Sequence, residues 1–461
     1  MAITSEPPAA PSAGPKSWAD HRGHWLRGCM REVRARPLDF YAAVRRRHSP
    51  YVRIRAFPGV WFYLVTHPDG VEHVLQKNPK NYRKPDVLIR PARQLVGNGL
   101  FTSEGELWLR QRRLMQPAFH RQHVAALVPQ MAAAAASLAE QWGRHEAGRV
   151  IDVVPDMMRL SLSIVGTTLF SHDISGEADT LGRAFRVLFN HVSRRMNSQL
   201  TLPLWVPTGK NRAVRHAKEL LDRVVLEVIE ARRRHDPGPG DLLDLLLAAR
   251  DEESGTGMND QQLRDEVLTL LTAGHDTVGA ALSWSWHLLG QHPEAQEALA
   301  DEARARLGGR PPTADDLPHL PLARAVFEES MRLYPPAPGV VRQAIADDAI
   351  DGRHVPAKAI VLPYAYVTHR DPDYWEEPEA FKPERFLAGA GAGRPKFAYF
   401  PFGGGPRVCI GNTFALTEGP LVLATLAQRF RLVSEPGHVV LPDTAFTLRP
   451  KNGVLMALHR R

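Results

Sequence analysis

Residues Phe402 to Gly411 read FGGGPRVCIG, and the rest of the chain is read outward from them. Three glycines and a proline precede a single cysteine, Cys409. Glycine lacks a Cβ, so this run can turn tightly, take positive φ and approach a flat group closely. Behind the cysteine, FALTEGPLVLATLAQRF has helical spacing. Cys409 is therefore expected at a helix N-terminus, where free amide N–H groups and the helix dipole favour a thiolate. Arg407, two residues earlier, adds positive charge. Gly419-Pro420 inside that helix is expected to kink or break it. Zinc would need further ligands close by, whereas a lone thiolate suits a soft metal already held by a macrocycle. The alternative for a lone cysteine is a small buried hydrophobe, and the glycines and Arg407 speak against it.

Three other stretches carry chemistry. In TAGHDTVGAALSW, Thr272 to Trp284, a polar Gly-His-Asp-Thr run interrupts an apolar helical pattern over residues 259–290. Such a local conflict marks either a kink with buried polar partners or a functional site. Gly274 weakens the helix, and Thr277 can hydrogen-bond back to a carbonyl one turn earlier. In EESMRLYPP, Glu329 and Arg332 share a helix face, a spacing that usually means a solvated surface pair. In GELWLRQRR, Trp108 and Arg112 are four apart on one face, both hydrogen-bond donors suited to carboxylates or simply part of an amphipathic surface helix. GNGLFTS, Gly97 to Ser103, comes just before.

The ten-residue segment resembles the haem-binding loop of the cytochrome P-450 superfamily, F-x-x-G-x-R-x-C-x-G. Phe402, Gly405, Arg407, Cys409 and Gly411 fill every fixed place. The other stretches resemble that family's motifs in the same order, and PERF and HRDP (His369 to Pro372) agree, so the resemblance spans roughly residues 35–460. It implies a mainly helical fold with a small β subdomain, a haem b (iron protoporphyrin IX) cofactor, and Cys409 as the iron ligand. It implies Phe402 and Gly403 beside the sulfur, Gly411 closing the loop, and Arg407, Trp108, Arg112 and Arg342 directed at haem propionates. Ala273, Gly274, Asp276 and Thr277 match the oxygen-binding A-G-x-D/E-T motif. Asp276 and Thr277 would deliver protons, Ala273 would border haem and substrate, and His275 is assigned no role. Glu329 and Arg332, with Arg385 of FKPERF, resemble a structural Glu-Arg-Arg network. Phe101 is expected either to bound the substrate space or to pack in the core.

The implied reaction is monooxygenation of a hydrophobic small molecule: a fatty acid, a terpenoid or another natural product. Electrons would come from NAD(P)H through a reductase and a separate ferredoxin or flavodoxin, because no such sequence is fused to either end. A peroxide-driven haem-thiolate enzyme and a non-enzymatic haem sensor are the alternatives, and the Asp276–Thr277 pair argues against both.

Composition is compatible with this. The chain has 461 residues, 44% hydrophobic, enough for a large core. Lys and Arg number 58 against 50 Asp and Glu, a formal charge of +8. The basic residues are dispersed, with short runs at Arg45–Arg47 and Arg232–Arg234 expected on solvated helix faces or, alternatively, at an acidic partner. No nucleic-acid motif accompanies them. Two cysteines, Cys29 and Cys409, make no disulfide framework and fit a reducing, cytoplasmic setting. No signal peptide and no apolar run of ~20 residues is seen, so no membrane anchor is expected. The Pro/Ala/Ser-rich residues 1–16 are expected to form a disordered tail, with 17–461 a single domain. An apolar stretch, LTLPLWVPTGK from residue 200, separates two helical segments as a lid or as core packing.

Overall fold

The computed structural model describes residues 16–172, 175–197, 202–234, 241–250, 255–444 and 446–461. The expected tail therefore lies outside the described residues apart from Lys16, which pairs with Asp351 at 2.7 Å.

The alternation of YVRIRAF and VWFYLVT forms β2 (Tyr51–Phe57) and β3 (Val60–Val65), an antiparallel hairpin with an irregularity between Arg55 and Phe57. Ahead of it come β1 (Ala19–His21), α1 (Met30–Ala35) and α2 (Pro37–Arg47). After it come α3 (Pro68–Glu72), a π turn at His73–Lys77 and β4 (Tyr82–Arg83). Among the helices not singled out by the sequence are α4 (Asp86–Val96), which contains Pro91, and the later α13. Then follow α5 (Gly105–Met115), a 3-10 turn at Gln116–Phe119, α6 (Arg121–Ala126), α7 (Val128–Gly143), β5 (Arg149–Asp152), α8 (Val153–Phe170), α9 (Ala178–Asn197) and α10 (Gly209–Arg234). Pro117 sits in the 3-10 turn that separates α5 from α6.

α11 (Leu242–Ala248) leads to α12 (Asp260–Gln291), capped by the Asn259 side chain accepting the Gln262 N–H. α13 (Pro293–Leu307) and α14 (Pro321–Leu333) follow, then β6 (Arg342–Ala344), β7 (Asp348–Ile350), β8 (Arg353–Val355), β9 (Ile360–Pro363) and α15 (Ala365–Thr368). α16 (Asn412–Ala427) precedes β10 (Phe430–Ser434), β11 (Pro442–Asp443), β12 (Arg449–Pro450) and β13 (Leu455–Arg460). The main sheet runs β1-β2-β3-β9-β6-β4, and β10-β13-β5 form a second. The architecture is mainly helical with a small β region.

α12 is buried almost throughout and packs along α8. Two glycines permit the approach. A Cβ at Gly274 would lie 2.6 Å from a Val165 methyl, and one at Gly279 would lie 2.8 Å from Met158 Sδ. α8 is the one described helix long and apolar enough to cross a membrane, and 61% of it is buried inside the fold.

Two expectations are corrected, and the apolar stretch keeps both of its alternatives, since Leu204 packs against the core. α16 runs from Asn412 to Ala427 without interruption and carries Pro420 inside it, so the proline does not break the helix. The arginine runs are not simply solvated: Arg45 pairs with Asp371 (2.9 Å) and Asp373 (3.0 Å). Buried Arg232 binds Asp241, Asp244 (2.7 Å) and the Phe170 carbonyl (2.9 Å). In the apolar stretch, residues 200 and 201 lie outside the described residues, while Leu202 and Trp205 turn outward, Trp205 being 79% exposed.

Candidate active site around Cys409

Cys409 stands three residues before α16, and Gly411 occupies the cap position. Its N–H donates to the Phe402 carbonyl at 2.9 Å, which closes the loop. Gly403 (φ 71°) and Gly405 (φ 63°) take the left-handed conformation. A Cβ at Gly405 would lie 1.8 Å from the Leu75 carbonyl oxygen, so only glycine lets the loop seat on the π turn. Arg112 donates to the Val408 carbonyl at 2.9 Å.

Desolvation raises the Cys409 thiol pKa, while the Gly411 N–H and the Arg112 charge oppose the shift. The assisting cation is thus Arg112. Arg407, which the sequence suggested, is not among the groups acting on the thiol, because its guanidinium turns to Glu104 (2.5 Å) and lies 4.1 Å over the Trp108 ring. By area Cys409 is exposed, although it lies deep enough to be strongly desolvated. Both hold if the residue borders an internal hollow. Ala273, exposed in the middle of otherwise buried α12, marks the same kind of boundary.

On α12, the Thr277 hydroxyl donates to the Ala273 carbonyl at 2.7 Å, the back-bond expected from its type. Asp276 is buried and its carboxylate is held from the C-terminal segment, by the Thr447 hydroxyl and by Arg449 at 3.7 Å. Buried His275 packs on Phe185, and desolvation lowers its pKa to about 4, so it is neutral. Ser161 of α8 donates to Glu418 at 2.8 Å, with the Gly274 carbonyl 3.3 Å away. Glu418 is fully buried, and desolvation raises its carboxyl to about 8 despite the Ser161 hydrogen bond. The sequence held a signal for it, one acid inside the apolar run behind Cys409, of the same kind as the GHDT interruption.

Cations gather beside the loop. Lys84 lies within electrostatic reach of Glu104, Arg407, Arg342 and Arg93, and burial lowers its pKa to about 7. Arg342 is lowered to about 10 by burial and by Arg407, with Glu104 opposing. Glu104 is the carboxylate that acts on Lys84, Arg342 and Arg407, and one guanidinium nitrogen of Arg407 is buried without a hydrogen-bond partner among the described residues. Desolvated cations in excess call for an anion. A haem meets that need: its propionates suit this donor set, and its iron suits the thiol. Lys84 and Glu104 were not legible in sequence because their partners are far along the chain.

The Glu-Arg-Arg group assembles away from the hollow. Glu329 and Arg332 are fully buried and joined at 2.7 and 2.8 Å. Arg332 also donates to the carbonyls of His369 (2.8 Å), Pro378 (2.6 Å) and Ala380 (2.9 Å). Arg385 stands 3.5 Å from Glu329 and donates to the Glu377 carbonyl at 2.9 Å. The surface-pair alternative for Glu329 and Arg332 is thereby corrected.

Phe101, 45% exposed, meets Phe446 edge-to-face at 6.2 Å, and Phe446 stacks on Phe189 at 4.6 Å. Phe185 and His275 continue the row. Four phenylalanines from loop, C-terminal segment and α9 thus form an aromatic wall next to α12.

A family profile described as Cytochrome P450 matches residues 19–457. Cyclooctat-9-en-7-ol 5-monooxygenase of Streptomyces melanosporofaciens is 38% identical over 403 residues, 87% of this chain and 86% of the relative. Pentalenene oxygenase of Streptomyces avermitilis is 34% identical over 418 residues, 90% and 91% of the two chains. Among solved structures, the cytochrome P450DA heme domain aligns with TM-score 0.87 and 27% identity, covering 97% of this chain and 98% of that one. A cyanobacterial relative with retinoic acid bound aligns with TM-score 0.85 and 28% identity, covering 97% and 100%.

Proposed function

The chain belongs to the cytochrome P450 family, and from that premise we propose that it inserts one oxygen atom of O2 into a hydrophobic terpenoid. The enzyme is a haem-thiolate monooxygenase. Haem, when bound, supplies dioxygen activation at a thiolate-ligated iron.

Cys409 is the ligand in this reading, and the Phe402 and Arg112 hydrogen bonds fix its loop. Arg112, Trp108, Arg407 and Arg342 would hold the haem propionates, with Lys84 beside them. Thr277, with its own proton on the Ala273 carbonyl, keeps its oxygen free to accept from water. Asp276 would hand protons toward it after parting from Thr447 or Arg449. Glu329, Arg332 and Arg385 hold the cysteine side of the fold together. The aromatic wall of Phe101, Phe446, Phe189 and Phe185 would receive a bulky hydrocarbon skeleton and exclude water from it. Two relatives named for cyclooctat-9-en-7-ol and pentalenene support the terpenoid choice over a fatty acid.

Electrons would arrive from NAD(P)H through a reductase and a ferredoxin or flavodoxin. An acidic partner fits the basic side chains beside the cysteine loop, Lys77 on the π turn and Lys396, which reaches Gln76 at 3.0 Å. A cytoplasmic setting and a single domain over 17–461 belong to the same reading.

The single observation that carries it is one thiol in a glycine-fixed turn beside desolvated cations. Replacing Cys409 by Ser should abolish the carbon-monoxide difference band that a thiolate-ligated haem gives. Survival of that band would show that another group ligates the iron. Turnover with a surrogate ferredoxin system should exceed turnover with peroxide, and the reverse would favour the peroxide-driven alternative.

A further inference from the structure

Loop 97–104 carries Phe101 and is gripped by side chains from four directions. Consecutive acids of α12 take two of its amides: Asp265 accepts from Asn98 N–H at 2.6 Å and Glu266 from Leu100 N–H at 2.8 Å. Lys84 donates to the carbonyls of Phe101 (2.5 Å) and Ser103 (3.3 Å). Arg93 of α4 donates to the Thr102 carbonyl at 2.6 Å, and Gln111 of α5 to the Asn98 carbonyl at 2.9 Å. The loop also lies flat on the helix. A Cβ at Gly97 would fall 2.0 Å from the Asp265 carboxylate, and one at Gly99 2.3 Å from Thr269 Oγ1.

Buried polar atoms without partners among the described residues gather on this seat, the acceptors of Glu266, Asn98 and Gln111 and the hydroxyls of Ser103 and Thr269. Glu266 is fully buried; one oxygen takes the Leu100 amide, and the other has no partner among the described residues. Asn98 Oδ1 and Gln111 Oε1 are buried without partners as well. A carboxylate adds repulsion to such a group, whereas a carboxylic acid brings the donor that it lacks. The charged neighbours agree. Asp265 on the same helix is bound to Arg264 at 2.8 Å, and Arg264 also reaches Asp222 of α10. Arg93 gives one guanidinium nitrogen to Thr102 and keeps its Nε buried without a partner among the described residues, and Lys84 grips the loop beyond Leu100.

We infer that Glu266 is a positioning residue for substrate selectivity: through the Leu100 amide it sets where the Phe101 ring stands in the aromatic wall. Desolvation, reinforced by Asp265 and opposed by the Leu100 N–H, raises its carboxyl to about 8, so it is protonated at neutral pH. Ionisation above that pH places a desolvated negative charge beside Asp265 and loosens the seat.

The inference rests on the monooxygenase reading only for its turnover arm. Haem-loaded wild type, Glu266→Gln and Glu266→Ala are compared by hydrogen-exchange mass spectrometry of the 97–104 peptide. The same proteins are tested for limonene binding by the haem spectral shift and for the ratio of limonene products against pH. Gln, a neutral mimic, should keep the wild-type protection factor, exchange being corrected for its base-catalysed intrinsic rate, and the wild-type product ratio at neutral pH, and hold both constant into alkali. Wild type should change in both as pH passes about 8. Ala should raise loop exchange about tenfold and shift the product ratio. A Gln variant that behaves like Ala, an Ala variant that matches wild type, or a wild-type profile flat through that pH would each overturn the inference. Exchange reads the loop without turnover, so failure to oxidise limonene counts against the proposed function and not against Glu266.

Discussion

Thr277 gives its proton to the Ala273 carbonyl at 2.7 Å, so what it offers the hollow is an acceptor oxygen on a fixed rotamer. Thr277→Ala should leave haem content unchanged but divert NADPH oxidation to hydrogen peroxide, lowering product formed per NADPH about tenfold. Unchanged coupling would remove Thr277 from proton delivery. Glu418 makes a different claim. Its folded carboxyl titrates near 8 against an ordinary 4.5, so the neutral acid is the native form at neutral pH. The stability linked to it is complete below about 4.5 and is lost as pH rises through about 8. Glu418→Gln should therefore gain on wild type in thermal unfolding between those values, by on the order of a few kcal/mol at the upper end. Identical pH profiles for the two proteins would contradict this. The Thr277 back-bond was legible in sequence because its acceptor lies one turn earlier, whereas the cation beside Cys409 was not, because Arg112 comes from α5. Glu104 and Thr447 were not, since each acts on a residue far away in sequence, Arg407 and Asp276.

α12, a long element with helical spacing over 259–290, appears where that spacing put it, within a residue or two. α4 escaped notice because Pro91 interrupts its pattern, and α13 because charge is spread along most of it. Pro420 misled for the opposite reason: burial of α16 on its neighbours outweighs one missing N–H. The α8–α12 contact depends on having no side chain at two positions. Gly279→Leu would drive a side chain into Met158 and should destabilise the fold by about 1–3 kcal/mol, read as a lowered Tm with overpacking. Gly405→Ala meets the Leu75 backbone and cannot be relieved by a rotamer change, so it should lower haem incorporation more than it lowers helix content by circular dichroism. Normal haem content in that variant would show that the loop can seat elsewhere.

Across the whole molecule, charge buried at Glu329 and Arg332 ties α14 to the segment that leads to the cysteine loop, through the carbonyls of His369, Pro378 and Ala380. Lysine cannot reproduce that fork. Arg332→Lys should cost about 3 kcal/mol or more in unfolding and reduce haem retention, measured on purified protein. A variant as stable as wild type would show that the network is dispensable. One further feature spans the molecule. Leu448 is pinned at both polar atoms, its N–H on the Pro336 carbonyl at 2.9 Å and its carbonyl on Trp284 at 3.0 Å. On one side of that pin stand Phe446 in the aromatic row and Thr447 on Asp276; on the other stands Arg449, again on Asp276. Breeding this enzyme toward a new molecule by exchanging those few residues would therefore also retune its oxygen economy, since the same short segment handles the guest and the acid.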